Sequence, residues 1–344
     1  MLAAAEYEGT RTAGYLDTAT YGLPPASTVA AIEAALQGWR AWGDWLAWER
    51  DGERCRELFA RIAGAPAESV ALVGAVSAAA GIVAATLPTG PGDNVVCFEH
   101  EFQSALFPWL ALEQRGVEVR LCALEELADA IDARTQLVAV STVQSADGRV
   151  VDLDALKDAG APLFLDATQS AGVLPVDLEG VDFLVAAGYK WLLCPRGLAF
   201  LYVRPERLPE IEPWQAGWKS IDDVYERYYG LPKMLTDEAR RLDTSLPWLL
   251  AAGARASLEV IDRIGVERIA EHDRALAARF CAGLGIPETG SPIVQLERTD
   301  AEAVVERLRA AGVKCSVRAG ALRFAFHLYN DEGDADLALD VLGG

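Results

Sequence analysis

The sequence predicts an α/β protein in which a mostly parallel seven-stranded sheet lies between helices and is followed by a smaller α+β domain. Three observations carry this. Short runs of aliphatic and β-branched residues alternate with helix-like stretches: "VALV" at 70, "VVCF" at 95, "VEVRL" at 117, "LVAV" at 137, "LFL" at 163, "DFLV" at 182 and "LAFLYV" at 198. Alternation of that kind builds a parallel sheet sandwiched by helices. Between "LVAV" and "LFL", the stretch "VDLDALKDAGAP" reads as a helix closed by Gly160, which makes a βαβ crossover. From about residue 249 the texture changes to long Ala/Arg/Glu helices, "LLAAGARASLEVIDRI" and "DAEAVVERLRAAG", around short strands. The expected organisation is a large domain over 13–248, a small domain over 249–344, and residues 1–12 packed on as an N-terminal extension.

A chain of 344 residues with 51% hydrophobic content is long enough to bury one large core and a smaller one. A formal net charge of -20 repels phosphate backbones and anionic lipid, so neither nucleic acid nor a membrane is an expected partner. The cysteines at 55, 97, 122, 194, 281 and 315 are scattered, with no C-x-x-C pair and no secretory signal ahead of them. Reduced thiols in a cytoplasmic protein, without structural zinc, are expected. The uncharged stretch "VALVGAVSAAAGIVAATLPTG" at 70–90 imitates a membrane span. Its Ala, Gly and Ser centre and its Pro-Gly end predict a buried strand, turn and helix instead.

In open α/β sheets, ligands sit beyond the carboxyl ends of strands, where loops and helix N-termini converge. After "VALV" come Gly74, Ala75, Val76 and Ser77, opening an Ala-rich helix whose free N–H groups and positive dipole end suit a phosphate. After "VVCF" come Glu99, His100, Glu101 and Phe102; after "LFL" comes Asp166; after "DFLVAAGY" comes Lys190. That lysine stands out because the chain holds only five, at 157, 190, 219, 233 and 314. Burial at a strand end pushes an amine toward the neutral form that attacks carbonyls. An unpaired carboxylate at Asp166 is costly unless a cation meets it. Each residue also has a plain structural reading: Lys190 as a snorkelling surface lysine, Asp166 as a helix cap, the glycine turn as a turn. Together they describe pyridoxal 5'-phosphate (PLP), with its aldehyde on Lys190, its ring nitrogen at Asp166 and its phosphate on the first helix N-terminus.

The residues and their order also resemble the class V aminotransferases of the fold-type I PLP-dependent enzymes, a group that includes cysteine desulfurases, kynureninases and isopenicillin N epimerase. The resemblance runs from "YLDTATYGLPP" at 15 to "LRFAFHLYN" at 322 and is carried most specifically by "GYKWLL" and "DATQSAG". It implies that Lys190 forms the Schiff base, that Tyr189 touches the phosphate beside Ala75, Val76 and Ser77, and that Asp166 holds the pyridinium proton. Gln169 resembles the residue that bonds the ring's phenolic oxygen, and Phe102 one that stacks on the ring face. Arg323 aligns with the arginine that grips an amino acid's α-carboxylate, and Thr18, Thr20 and Tyr21 with a loop that closes over substrate. The resemblance gives His100 no role. It further implies a homodimer with sites at the subunit interface.

Some positions depart from the pattern. Ala187 replaces a serine that often helps hold phosphate, and Leu246 stands where many relatives present a threonine to the neighbouring subunit, with Thr244 or Ser245 as substitutes. Before Arg323 there is no room for the loop that carries a desulfurase's nucleophilic cysteine, and Cys315 falls in the strand leading up to it. In "WRAWGDWLAWER", Trp39, Trp42, Trp45 and Trp48 recur every third residue, which on one helix makes a drifting aromatic ridge for core or subunit packing. The expected function is that of a PLP enzyme acting on a small amino acid, aminotransferase first, with a lyase or epimerase as alternatives. A non-catalytic scaffold that keeps the fold is the alternative of a different class.

Overall fold

The computed structural model describes residues 1–222, 224–225, 228–230 and 234–343; Lys233 and Gly344 lie outside them. All seven expected strands form, as β1 (Val70–Val73), β2 (Asn94–Phe98), β3 (Glu118–Cys122), β4 (Thr135–Ser141), β5 (Leu163–Asp166), β6 (Phe183–Ala187) and β7 (Ala199–Val203). They make one sheet in the order β1-β7-β6-β5-β4-β2-β3. Pairs within β3-β2-β4-β5-β6 are parallel, while β7 runs antiparallel to both β6 and β1. The carboxyl ends of β1, β2, β4, β5 and β6 therefore share one edge, and β7 begins there.

The strands read as continuous apolar runs because both faces are covered. One face presents Leu72, Phe98, Val140, Leu165 and Phe200 to the helices α2 (Trp45–Ala63) and α6 (Trp248–Ile264), with the rings of Phe59 and Phe200 stacked 4.3 Å apart. The other presents Val73, Cys97, Phe164 and Val185 to α3 (Val76–Thr86) and α4 (Gln103–Leu110), with Trp109 set edge-on to Phe164 at 4.9 Å. The span-like stretch at 70–90 is β1, a turn and α3, and no helix among the described residues is long and apolar enough to cross a membrane. Between β4 and β5 runs α5 (Leu153–Ala159), capped at its start by the Asp152 side chain and ended by Gly160 in the left-handed region. This is the expected crossover.

Beyond α6, α7 (Val266–Leu284), α8 (Ala301–Ala310) and α9 (Glu332–Gly343) surround a second antiparallel sheet, β8 (Ile293–Leu296), β9 (Ser316–Arg318) and β10 (Ala321–Ala325), in the order β8-β10-β9. Its core joins Leu276, Phe280, Val304, Leu308, Phe324 and Phe326. Residues 15–17, counted with the large domain in the sequence, pair in parallel with Lys314 and Ala325 beside this smaller sheet. The Asn330 amide donates 3.0 Å to the Tyr15 carbonyl and fixes that pairing.

The tryptophan ridge is corrected by a helix break. The first helix, α1 (Ala26–Arg40), stops before Trp42, which has φ 61° and is 97% exposed. Asp44 then caps α2, its side chain accepting from the Leu46 N–H at 2.9 Å. Only Trp45 and Trp48 share a helix, and both pack against Trp248. Trp39 stays exposed on α1.

Candidate active site

The shared sheet edge holds a cavity of about 150 Å³ lined by the loops after β1, β5 and β6, the start of α4 and the loop into β7. Asp166 and Lys190 face it from neighbouring strands, each only 5% exposed. The Asp166 carboxylate accepts the Thr168 N–H at 2.9 Å, and the Thr168 hydroxyl oxygen accepts the Ala187 N–H at 3.0 Å, so the ends of β5 and β6 are tied together. Burial raises the Asp166 carboxyl above its ordinary range, against the Thr168 bonds and the nearby Lys190 charge. Burial likewise lowers Lys190 to about 8, with the Asp166 charge opposing and the Arg323, Arg318 and Arg196 charges assisting. Among the described residues the Lys190 amine has no hydrogen-bond or ion-pair partner. It lies 5.4 Å from the Phe102 ring centroid and 5.9 Å from that of Tyr189.

Two glycines make this approach possible. Gly188 sits where a Cβ would come within 2.9 Å of Cys194. Gly22 donates to the Tyr189 carbonyl at 3.0 Å, and a Cβ there would collide with the Lys190 carbonyl oxygen. The N-terminal loop therefore lies directly on the lysine segment.

Ala75 and Val76 line the cavity with Gly74, and Ala75 is an N-cap with no side-chain bond to the first turn of α3. Ser77 is exposed on that turn and lies outside the lining. Gln169 lines the cavity, but its amide is engaged. Its oxygen accepts the Trp191 indole N–H at 2.7 Å, and its nitrogen donates to the Ala19 carbonyl at 3.2 Å and the Ser145 hydroxyl at 3.0 Å. His100 is exposed and leans on Glu99.

Arg323 is 1% exposed and stands behind the cavity wall rather than in it. It donates to the Ser145 carbonyl at 2.6 Å and the Thr20 hydroxyl at 2.6 Å, and lies 3.4 Å from the Asp17 carboxylate. Its Nε is buried without a partner among the described residues. Burial lowers its guanidinium to about 10, which leaves it cationic at neutral pH. Tyr21 is 45% exposed and lines an adjacent apolar groove of about 500 Å³ with Thr20, Tyr189, Val29, Ile32 and Arg196. Thr18 does not reach either space: it is fully buried, its hydroxyl 2.5 Å from that of Tyr329. Its substrate role is replaced by that of an anchor for the loop.

Leu246 is turned into the core against Gly52, so it presents nothing to a neighbouring subunit; Ser245 beside it is exposed. Cys315 is buried just ahead of β9, its thiol pushed up to about 12 by burial.

Several lining residues were not singled out from the sequence. Ser145 joins Gln169 to Arg323, and Thr168, Ser141 and Ser104 supply hydroxyls. Arg196 closes the cavity from the loop into β7. Glu101 is buried beside it, binding the Ser141 N–H at 2.7 Å and hydroxyl at 2.6 Å, with its carboxyl raised by burial and by the Asp166 charge. The available signal was position: Glu101 lies three residues past the end of a strand, and Arg196 lies between a proline and a glycine in "CPRG".

A buried lysine facing a buried carboxylate at the carboxyl edge of a mostly parallel sheet makes an α/β fold with a candidate amine-bearing site. The comparisons make the family specific. The model of the class V aminotransferases matches residues 15–300. An uncharacterized aminotransferase, YcbU, from Bacillus subtilis (strain 168) is 31% identical over 84% of this chain and 82% of its own length. A probable cysteine desulfurase of Methanothermobacter thermautotrophicus is 28% identical over 95% and 93%. Among solved structures, the cystine C–S lyase C-DES in complex with cysteine persulfide has a TM-score of 0.88 at 20% identity, over 98% of each chain. The chain belongs to the class V aminotransferase family, a family of PLP-dependent enzymes.

Proposed function

We propose that the protein binds PLP on Lys190 and transfers the amino group of a small amino acid. The observation that carries this reading is the unpartnered Lys190 amine, lowered to about 8 and facing the same cavity as the buried Asp166 carboxylate. The donor set fits the cofactor part by part. An aldehyde suits the amine, a ring N–H suits Asp166, a ring face suits Phe102, and a phosphate suits the uncapped start of α3. When bound, the cofactor supplies an electrophilic aldehyde carbon and a conjugated ring that draws electrons from the substrate's α-carbon.

The chain's own residues do the rest. Lys190 would hold the cofactor's aldehyde and would serve, when neutral, as the base for the substrate's Cα proton. Asp166, at the end of the strand that Thr168 ties to β6, would hold the proton on the ring nitrogen. Arg323 is the cation for the α-carboxylate, reached by exchanging Asp17 or Thr20 for the incoming oxygens. The loop bearing Thr20 and Tyr21 covers the lysine segment through Gly22 and limits water there.

A homodimer belongs to the same reading, supported by Val29, Leu36, Trp39 and Trp42, which leave an apolar outer face on and after α1. The six free thiols fit a reducing, cytoplasmic setting. No cysteine lines the cavity among the described residues, so persulfide relay by a cysteine does not fit.

The test is incubation of the cofactor-loaded protein with a panel of amino acids, with and without 2-oxo acids. Amino transfer yields a new amino acid only when a 2-oxo acid is present. Release of ammonia or sulfide, or inversion at Cα, would replace this reading by a lyase or an epimerase. A protein that stays colourless and inert with PLP would leave the scaffold reading.

A further inference from the structure

The anion end of the cavity is short of charge. Ala75 caps α3 without a side-chain bond, no acidic residue lies in that helix's first turn, and Ala187 brings only a methyl group to the wall. Backbone N–H groups alone meet a phosphomonoester dianion with partial charges. Lys190, nine-tenths buried and unpartnered among the described residues, already points into the space and shows that a ligand is expected there. Its amine is committed to the aldehyde.

One other cation reaches the lining. Arg196 stands at the junction of the cavity and the apolar groove, its guanidinium 5.1 Å from the Tyr189 ring centroid. The loop that carries it is fixed at both ends: the Cys194 N–H donates to the Gly188 carbonyl at 2.9 Å, and the Gly188 N–H to the Leu198 carbonyl at 3.0 Å. This returns Arg196 to the strand end that bears Lys190. In a chain with net charge -20, it has no carboxylate partner among the described residues. A planar cation stacked on an aromatic ring, with its N–H edge free, is built for a phosphate.

We propose that Arg196 is a phosphate-binding residue for the cofactor, taking the load that a hydroxyl at position 187 would otherwise share. The proposal rests on the PLP reading and names the residue that distinguishes the phosphorylated cofactor from its alcohol. Because the arginine is exposed, its replacement leaves the core intact.

The experiment titrates apo-protein with PLP and, separately, with pyridoxal, following visible absorbance and Tyr/Trp fluorescence, for wild type, R196A, R196K and R196A/A187S. R196A is expected to weaken PLP binding by about ten- to a hundredfold, as loss of a charge-assisted contact implies, while pyridoxal uptake stays at the wild-type level. R196K and R196A/A187S recover part of the loss, and inorganic phosphate competes with PLP in wild type more strongly than in R196A. Unchanged PLP affinity in R196A overturns the proposal, and so does an equal loss for PLP and pyridoxal. Intact PLP binding with a raised KM for the amino acid would move Arg196 to the substrate and also overturn it. If wild type takes up neither compound, the PLP reading itself falls.

Discussion

The two halves of the site are built on opposite plans. On the cofactor side, among the described residues, the Lys190 amine and the start of α3 are left open, and the Asp166 carboxylate is bonded by Thr168 alone. On the carboxylate side, the terminal nitrogens of Arg323 are engaged by Ser145, Thr20 and Asp17, and the Gln169 amide by Trp191, Ala19 and Ser145. In the proposed reading, the first half is preorganised for a group that stays, and the second is held by internal partners that a passing carboxylate would displace. A resident ligand and a transient one therefore leave different signatures in the unliganded chain. The difference also appears in charge: burial brings Lys190 to about 8 but Arg323 only to about 10, so near neutral pH one group titrates and the other does not.

The comparison breaks hardest at Lys190. Lys190→Ala should abolish the visible absorbance of the bound cofactor and lower turnover by about a thousandfold, the scale of losing both the covalent anchor and the base. Absorbance spectra and initial rates check it. Next, Arg323→Lys should raise KM for the amino acid by about ten- to a hundredfold while PLP uptake is unchanged, because a point charge replaces a two-pronged donor. Equal damage to both would mean the halves are not separable.

The pH profile sharpens the contrast. Capture of PLP by the apo-protein, trapped by borohydride, should rise with pH to half its maximum near 8, as Lys190 loses its proton. Between 8 and the ordinary lysine value of 10.5 the unfolded chain binds more protons at this residue than the folded one, so apo-protein stability should gain from it as pH rises through that window. Arg323 contributes no such slope near neutrality. The smallest effect is expected at Cys315→Ala: activity within about twofold of wild type and a stability loss of about 1 kcal/mol, read by denaturant titration. A large fall in activity would bring cysteine chemistry back.

Periodicity made the seven strands legible, because buried parallel strands read as apolar runs and their order along the chain fixes which ends carry loops. Lys190, Asp166, Ala75 and Val76 were legible for the same reason: each lies at or within three residues of a strand's carboxyl end. Arg323 was reached only through resemblance, since the bond that defines its place joins residues 178 positions apart. Arg196 and Ser145 were missed because loops returning to a sheet edge leave no periodic trace. Thr18 was placed at the substrate by resemblance, and its buried bond to Tyr329 shows it inside the fold instead; the tryptophan ridge was misread from spacing alone. In the ridge, Gly43 and Asp44 marked the break that puts Trp42 at positive φ.

The pairing of residues 15–17 with Lys314 and Ala325, held by a bond across 315 positions, bears on how the protein is made. On the ribosome, the segment that will lie over Lys190 emerges before that lysine, while Lys314, Ala325 and Asn330, which pin it, follow long after. The sheet edge with Lys190 and Asp166 is synthesised in between, well before its roof can be pinned. A nascent chain interrupted near residue 300 would thus carry the lysine, its opposing carboxylate and the segment that covers them, but neither the pairing that pins this segment nor Arg323, the cation proposed to receive the substrate's carboxylate.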